Sequence, residues 1–335
     1  MSTSRKVTIT GAVVTALAAA GVAATSGVAY ADRRRTGTSR RQAQVAAALS
    51  DPSDARQRML TMIDGAIVHV VERGPVGATP IVLLHGVTLS TRVWHQALDA
   101  MGEQFRVVAL DWRGHGTSTA GRDGYGLELL ARDLSEVLEQ LDLRGAVVVG
   151  HSMGGMALMR FCGTHPQMLN DRVAGLVFLS TAAADVVGAT LAPFIRSLVQ
   201  RVAQRPGVAA LTSWTAPGDL GYCMVRFTFG SRPAPVWVEQ VRHIVSTMDP
   251  AATAASVVPL IHHDARTVLP TVTIPALVLV GSNDRVTPPS QARVIASLLP
   301  NSELVELDGP GHLIMLERQA QFHRLVARLA ERVQV

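Results

Sequence analysis

Cysteine is almost missing from this chain: of 335 residues only Cys162 and Cys223 carry a thiol. Two cysteines cannot build a disulfide framework, so the fold must be held by its own core, with one bridge or two free thiols both open. Metal-ligand spacing is lacking as well. No CxxC or HExxH occurs, and the adjacent His262 and His263 diverge on either a strand or a helix, so neither a metal nor a cofactor is expected. Lysine is rarer still, with Lys6 alone against 30 arginines, which reads as the codon bias of a GC-rich genome. Net charge is also nearly absent from most of the chain. Arg5, Lys6, Arg33, Arg34, Arg35, Arg40 and Arg41 face only Asp32 in the first 41 residues, which therefore hold +6 of a total of +5 and leave −1 for the remainder. A remainder without a positive field gives phosphates nothing to bind, which excludes nucleic acid as a partner.

What the chain does have is apolar residues, 48% of the total, enough at this length for one large domain with a sizeable core. The first apolar run is set apart from the rest. Residues 7–31 carry no charge, follow Arg5 and Lys6, and end in Ala29-Tyr30-Ala31 ahead of Asp32, the pattern of a removable signal peptide. A retained N-terminal anchor competes with that reading, because the stretch is long enough to span a bilayer and five arginines between positions 33 and 41 bias its C-terminal side inward. Either way residues 1–31 imply export or association with the cell envelope, and the polar, basic residues 32–60 read as a linker.

From Ile63 onward short Val/Ile/Leu runs alternate with helical patterns. Strands are expected over 66–71, 81–84, 105–110, 146–149, 173–179, 276–280 and 303–307, with helices over 91–101, 127–141, 153–165, 290–299 and 316–332. Alternation of this kind implies a mostly parallel, doubly wound α/β sheet. In the 127–141 helix, Leu127, Leu130, Ala131, Leu134, Val137, Leu138 and Leu141 form the buried stripe, with Arg132, Asp133, Glu136 and Glu139 opposite. The alternation fails between 181 and 270, a proline-interrupted stretch read as a largely helical lid inserted between core segments 61–180 and 271–335. Its Trp214, Tyr222, Met224, Phe227, Phe229 and Trp237 serve either the lid's own core or an apolar substrate channel.

Three positions carry chemistry. Gly150-His151-Ser152-Met153-Gly154 follows an apolar strand and opens a helix, the pattern of a nucleophile elbow, where a serine projects from a sharp turn toward a base and oxyanion donors. Asp284 lies in the polar loop after the strand ending at Val280, placed to orient a histidine, with Asp185 in reserve. His312, in the Gly309-Pro310-Gly311-His312 loop after the last strand, is the best base among eleven histidines.

Five motifs in order then make residues 63–335 resemble the α/β-hydrolase fold superfamily. They are His85-Gly86, the run Asp111-Trp112-Arg113-Gly114-His115-Gly116-Thr117-Ser118, the elbow, the acid loop from Gly281 to Pro288, and Gly311-His312. The resemblance implies a catalytic triad of Ser152, Asp284 and His312, in that chain order, and an oxyanion hole formed by the backbone N–H groups of Val87 and Met153. It further implies that His85 and His151 buttress the site and that residues 111–118 brace it. Epoxide hydrolases and haloalkane dehalogenases of this fold carry aspartate at the elbow; Ser152 points instead to acyl transfer, and Val87-Thr88 after His85-Gly86 sets the chain apart from the HGGG branch. The function so implied is a serine hydrolase acting on small-molecule carboxylic esters of apolar acyl groups. Carbon–carbon bond hydrolysis or perhydrolysis on the same triad, and a non-catalytic ligand-binding role, are the alternatives.

Overall fold

The computed structural model describes residues 39–184 and 219–334. The expectations for residues 1–31, for Asp185 and for Trp214 lie outside the described residues. Among those described, no helix is long and apolar enough to cross a membrane.

Part of the expected linker has regular structure. Helix α1 (Ser39–Leu49) and strand β1 (Arg56–Thr61) precede the first anticipated strand. Strand β1 is an edge strand paired antiparallel with β2 (Ile67–Arg73), Arg56 opposite Glu72 and Thr61 opposite Ile67. Its side chains are almost all exposed, so no apolar alternation marks it in the sequence. Backbone pairing holds it, helped by the Arg56 guanidinium donating to the buried Glu72 carboxylate at 2.7 Å.

The remaining elements follow the α/β rhythm: β3 (Pro80–Leu84), a 3₁₀ turn (Thr91–Trp94), α2 (His95–Met101), β4 (Arg106–Leu110), α3 (Leu127–Gln140), β5 (Ala146–His151), α4 (Met153–Thr164), α5 (Pro166–Arg172) and β6 (Val173–Leu179). After the insertion come β7 (Ala276–Gly281), α9 (Pro289–Leu298), β8 (Ser302–Leu307), α10 (Ile314–Glu317) and α11 (Gln319–Arg332). The eight strands are ordered β1-β2-β4-β3-β5-β6-β7-β8 in one sheet, parallel from β4 to β8 and antiparallel at the β1/β2 end. Alternate side chains of the parallel strands enter two separate cores. Val82, Val108, Val148, Leu176 and Val278 pack under α3, α4 and α9, whereas Ile81, Val107, Val149, Val177 and Leu279 pack under α2 and α11. Burial on both faces explains why these strands read as continuous apolar runs.

Between β6 and β7 the described part of the insertion contains three α-helices, α6 (Asp219–Thr228), α7 (Pro235–Ser246) and α8 (Pro250–Leu260), followed by a 3₁₀ turn (Leu269–Thr271). Where the chain leaves and rejoins the core, Ala184 and Asp264 form an antiparallel bridge and the Ala265 N–H donates to Ala183 O at 2.8 Å. Tyr222 and Phe229 are buried in the second core, so they serve packing, and Trp237 lies half-buried against it. Met224 and Phe227 stay half-buried.

One expectation for α3 is corrected. Its apolar stripe is buried as anticipated, but Asp133, assigned to the opposite face, is fully buried too. The reason is Arg113, whose guanidinium has no exposed surface and is held between Asp133 (2.6 and 2.8 Å) and Asp64 (2.8 and 3.3 Å). Helical periodicity cannot anticipate a carboxylate drawn inward by a partner 20 residues away in sequence. Removing one member of such a network strands the opposite charges, so Arg113→Met is expected to cost about 3–5 kcal/mol of unfolding free energy, read from the denaturant midpoint. A shift below about 1 kcal/mol would show that this network does not hold the 111–118 loop.

Candidate active site

Ser152 stands at the junction of β5 and α4 with φ 52° and ψ −117°, a left-handed conformation that costs a non-glycine residue about 1–3 kcal/mol. The surroundings hold it there. Its N–H donates to Leu179 O (3.1 Å), while its carbonyl accepts from the Gly155 N–H (2.9 Å), the Met156 N–H (3.1 Å) and Thr181 Oγ1 (2.7 Å). The flanking glycines are required by close approach. A Cβ on Gly154 would stand 2.4 Å from Leu84 O, and one on Gly150 2.6 Å from Gly155 Cα. Across the turn, a Cβ on Gly86 would meet His151 Nδ1 at 2.9 Å and Ser152 Cβ at 3.0 Å, so the loop after β3 lies directly against the elbow.

That loop presents Val87. Among the described residues the N–H groups of Val87 and Met153 donate to no protein acceptor, and Met153 is the first residue of α4, at the positive end of its dipole. The loop is braced by His85, whose Nδ1 donates to Gly86 O (2.7 Å) and whose Nε2 accepts the Trp112 N–H (3.0 Å), with Trp112 Nε1 donating to His85 O (2.9 Å). Burial, reinforced by the charge of His115, pulls His85 down to about 4, so it is a neutral strut with both ring nitrogens engaged. Asp111 is structural in the same sense. Its carboxylate accepts from the Thr91 N–H (2.6 Å), His69 Nδ1 (2.8 Å) and the Thr117 N–H (3.2 Å). The 111–118 run thus braces the rim of the sheet.

The acid and the base come together on the far side of β5. Strands β7 and β8 are adjacent and parallel, so the loops leaving them emerge at the same rim as Ser152. His312 Nδ1 donates to Asp284 Oδ2 at 2.9 Å, and both side chains are buried. Asp284 Oδ1 accepts the N–H groups of Val286 and Thr287, each at 2.9 Å, which fixes the carboxylate plane. Burial alone pushes the Asp284 carboxyl up, but the His312 charge and these hydrogen bonds outweigh it, and its pKa lies below the usual value. Sequence reading did not single out Thr287, whose Oγ1 donates to Asp284 Oδ2 (3.0 Å) and lies 3.2 Å from His312 Nδ1. The only hint of it in the chain is its position three residues after the acid.

His151 is not a base either. Its Nε2 donates to the carbonyl of His312 (3.0 Å), its ring lies 4.7 Å from the His312 ring, and burial pushes its pKa well below the ordinary value. It therefore ties the residue before Ser152 to the histidine loop. Ser152 Oγ itself is hydrogen-bonded to no atom of the described residues, so its link to His312 Nε2 is not closed in this conformation. Such contacts are commonly long before substrate is bound. The arrangement combines a strained serine, an imidazole held by a buried carboxylate, and two free amide donors, which is the equipment for acyl transfer.

Known proteins agree with this architecture. A family model described as alpha/beta hydrolase fold matches residues 79–319. The chain is 31% identical over 249 residues to the non-heme chloroperoxidase CPO-A1 of Kitasatospora aureofaciens, covering 71% of this chain and 86% of the relative. Among solved structures it resembles an esterase from Exiguobacterium antarcticum (TM-score 0.71, 21% identity, 82% of this chain and 100% of the other). It also resembles a thermophilic esterase from Thermogutta terrifontis (TM-score 0.70, 25% identity, 84% and 100%). With the match spanning most of the chain, and the sheet order and strained elbow in place, this protein belongs to the alpha/beta hydrolase fold family.

Proposed function

We propose that the protein is a serine hydrolase that cleaves small carboxylic esters of apolar acyl groups through Ser152, His312 and Asp284. The observation that carries this reading is the 2.9 Å Asp284–His312 hydrogen bond, set at the same sheet rim as a serine strained to φ 52°. In the proposed reaction His312 Nε2 takes the Ser152 hydroxyl proton as Oγ attacks the ester carbonyl. The oxyanion that develops is met by the N–H groups of Val87 and Met153. Collapse of this intermediate breaks the acyl–oxygen bond, and the alcohol leaves with the proton from His312. Water then attacks the acyl-enzyme with His312 again as base, releasing the acid and restoring the serine. Beside the acid loop, α6 sets Phe227 against Arg285, the residue after Asp284, with the guanidinium 5.5 Å from the ring centroid.

A second reading is favoured by the likeness to a non-heme chloroperoxidase. Here hydrogen peroxide in place of water attacks the acyl-enzyme, giving a peracid, with no change in the protein groups used. The two are separated by measuring hydrolysis of p-nitrophenyl esters of increasing acyl length beside peracid formation from a short carboxylic acid and peroxide. Ester turnover exceeding peracid formation is the expected result. Dominant peracid formation would select the second reading, and neither activity, in a protein with an intact fold, would refute both.

A further inference from the structure

We propose that Glu317 is a positioning residue: its carboxylate clamps the His312 loop to the end of α6, so that the insertion determines where the imidazole stands. The inference rests on the serine hydrolase reading and extends it to a residue in no recognised motif of the chain. Two stretches of irregular backbone meet here at a separation that only glycine allows. A Cβ on Gly230 would fall 2.1 Å from Gly309 O, and one on Gly311 2.5 Å from Phe229 C. Backbone pressed on backbone without a ladder must find partners for its polar groups. The His312 N–H donates to Thr228 O at 2.7 Å. The other two amides are taken up by Glu317 alone, which accepts the Gly311 N–H on Oε1 and the Gly230 N–H on Oε2, each at 2.8 Å.

The chemistry of the side chain explains the choice of residue. Both partners are donors, so the bridging group needs two acceptor atoms; a carboxylate has them, whereas the amide of glutamine has one oxygen and an NH₂ that would face an N–H. Aspartate is one methylene too short to span both. Glu317 forms no ion pair among the described residues, and burial raises its carboxyl pKa against the pull of the two N–H groups. The same junction is locked from the other side. Arg226 donates to Gly230 O and Ser231 O, both at 2.7 Å, and Asn283 Nδ2, beside the acid, donates to Ser231 Oγ (2.9 Å) and Gly309 O (3.0 Å). Gly311 immediately precedes His312, so a shift of its peptide is carried into the imidazole. Glu317 does not touch the ring and acts through the backbone.

The test compares wild type with Glu317→Gln, Glu317→Asp and Glu317→Ala as the full chain. Turnover of p-nitrophenyl butyrate is expressed per site titrated with a fluorophosphonate, and hydrogen exchange is followed in peptides covering 226–231, 309–313 and 148–153. Glu317→Ala should lower kcat per titrated site by about 100-fold, the scale of a displacement near 1 Å, with KM nearly unchanged. Glu317→Gln should recover part of that loss and Glu317→Asp less. Exchange should quicken together in the 226–231 and 309–313 peptides and not in 148–153. A wild-type kcat per titrated site, or deprotection of only one of the two segments, would overturn the proposal. If the wild type neither turns over esters nor binds the probe, it is the serine hydrolase reading that has failed, and the exchange data alone then decide the clamp.

Discussion

Ser152→Ala should reduce kcat by about 10⁴- to 10⁶-fold on any ester the wild type cleaves, leaving a residue of activity from the oxyanion donors and binding. The structure makes this substitution an unusually clean one. Ser152 Oγ forms no hydrogen bond with the described residues, while the groups that hold the elbow are its backbone N–H and C=O. Alanine keeps those bonds and occupies the same left-handed conformation at the same cost. Thermal stability should therefore stay within about 0.5 kcal/mol of wild type, so that lost turnover cannot be ascribed to lost fold. Paired melting curves and initial rates on one preparation check both halves. A Ser152→Ala protein within tenfold of wild-type activity would remove the nucleophile from the account.

The second large effect is expected from Asp284→Asn, by reversal of a single hydrogen bond. In the native site His312 Nδ1 is the donor to Asp284, which leaves Nε2 as a lone-pair acceptor toward the serine side. The Val286 and Thr287 amides both donate to Oδ1, so an asparagine will turn its carbonyl to them and its NH₂ to His312. The imidazole must then accept at Nδ1 and carry its proton on Nε2, the tautomer that cannot take a proton from Ser152. A loss of about 10⁴-fold in kcat follows from the established cost of the wrong tautomer in such triads. Rates measured on Asp284→Asn beside Asp284→Ala check the cause: the alanine variant frees the ring to rotate, and its activity should not fall below that of asparagine. A decrease of less than tenfold in Asp284→Asn would show that His312 is oriented by something else.

Much of the site was legible because its residues are marked by backbone demands that leave a trace in the chain. Gly150 and Gly154 are there because neighbouring backbone fills the space of a Cβ, and Gly86 because the loop after β3 lies on the elbow. The parallel strands were legible as apolar runs because both faces are covered. What escaped was held by polar partners rather than by periodicity. Strand β1 buries almost nothing and follows its neighbour through backbone pairing. Asp133 is drawn inward by Arg113 against the helical pattern. Thr287 and Glu317 work through hydrogen bonds to a carboxylate and to two glycine amides, and no spacing rule points to either. The 91–101 helix begins as a 3₁₀ turn, and the 316–332 helix is interrupted at Arg318 (φ −137°, ψ 48°).

The most direct measurement of the central claim is fluorophosphonate labelling of the native protein followed by peptide mass analysis, run on wild type and on His312→Ala. One label per chain, confined to Ser152 and greatly slowed without the imidazole, is the result that a His312-activated serine predicts. A label on another residue, or equal labelling of Ser152 in both proteins, would contradict it.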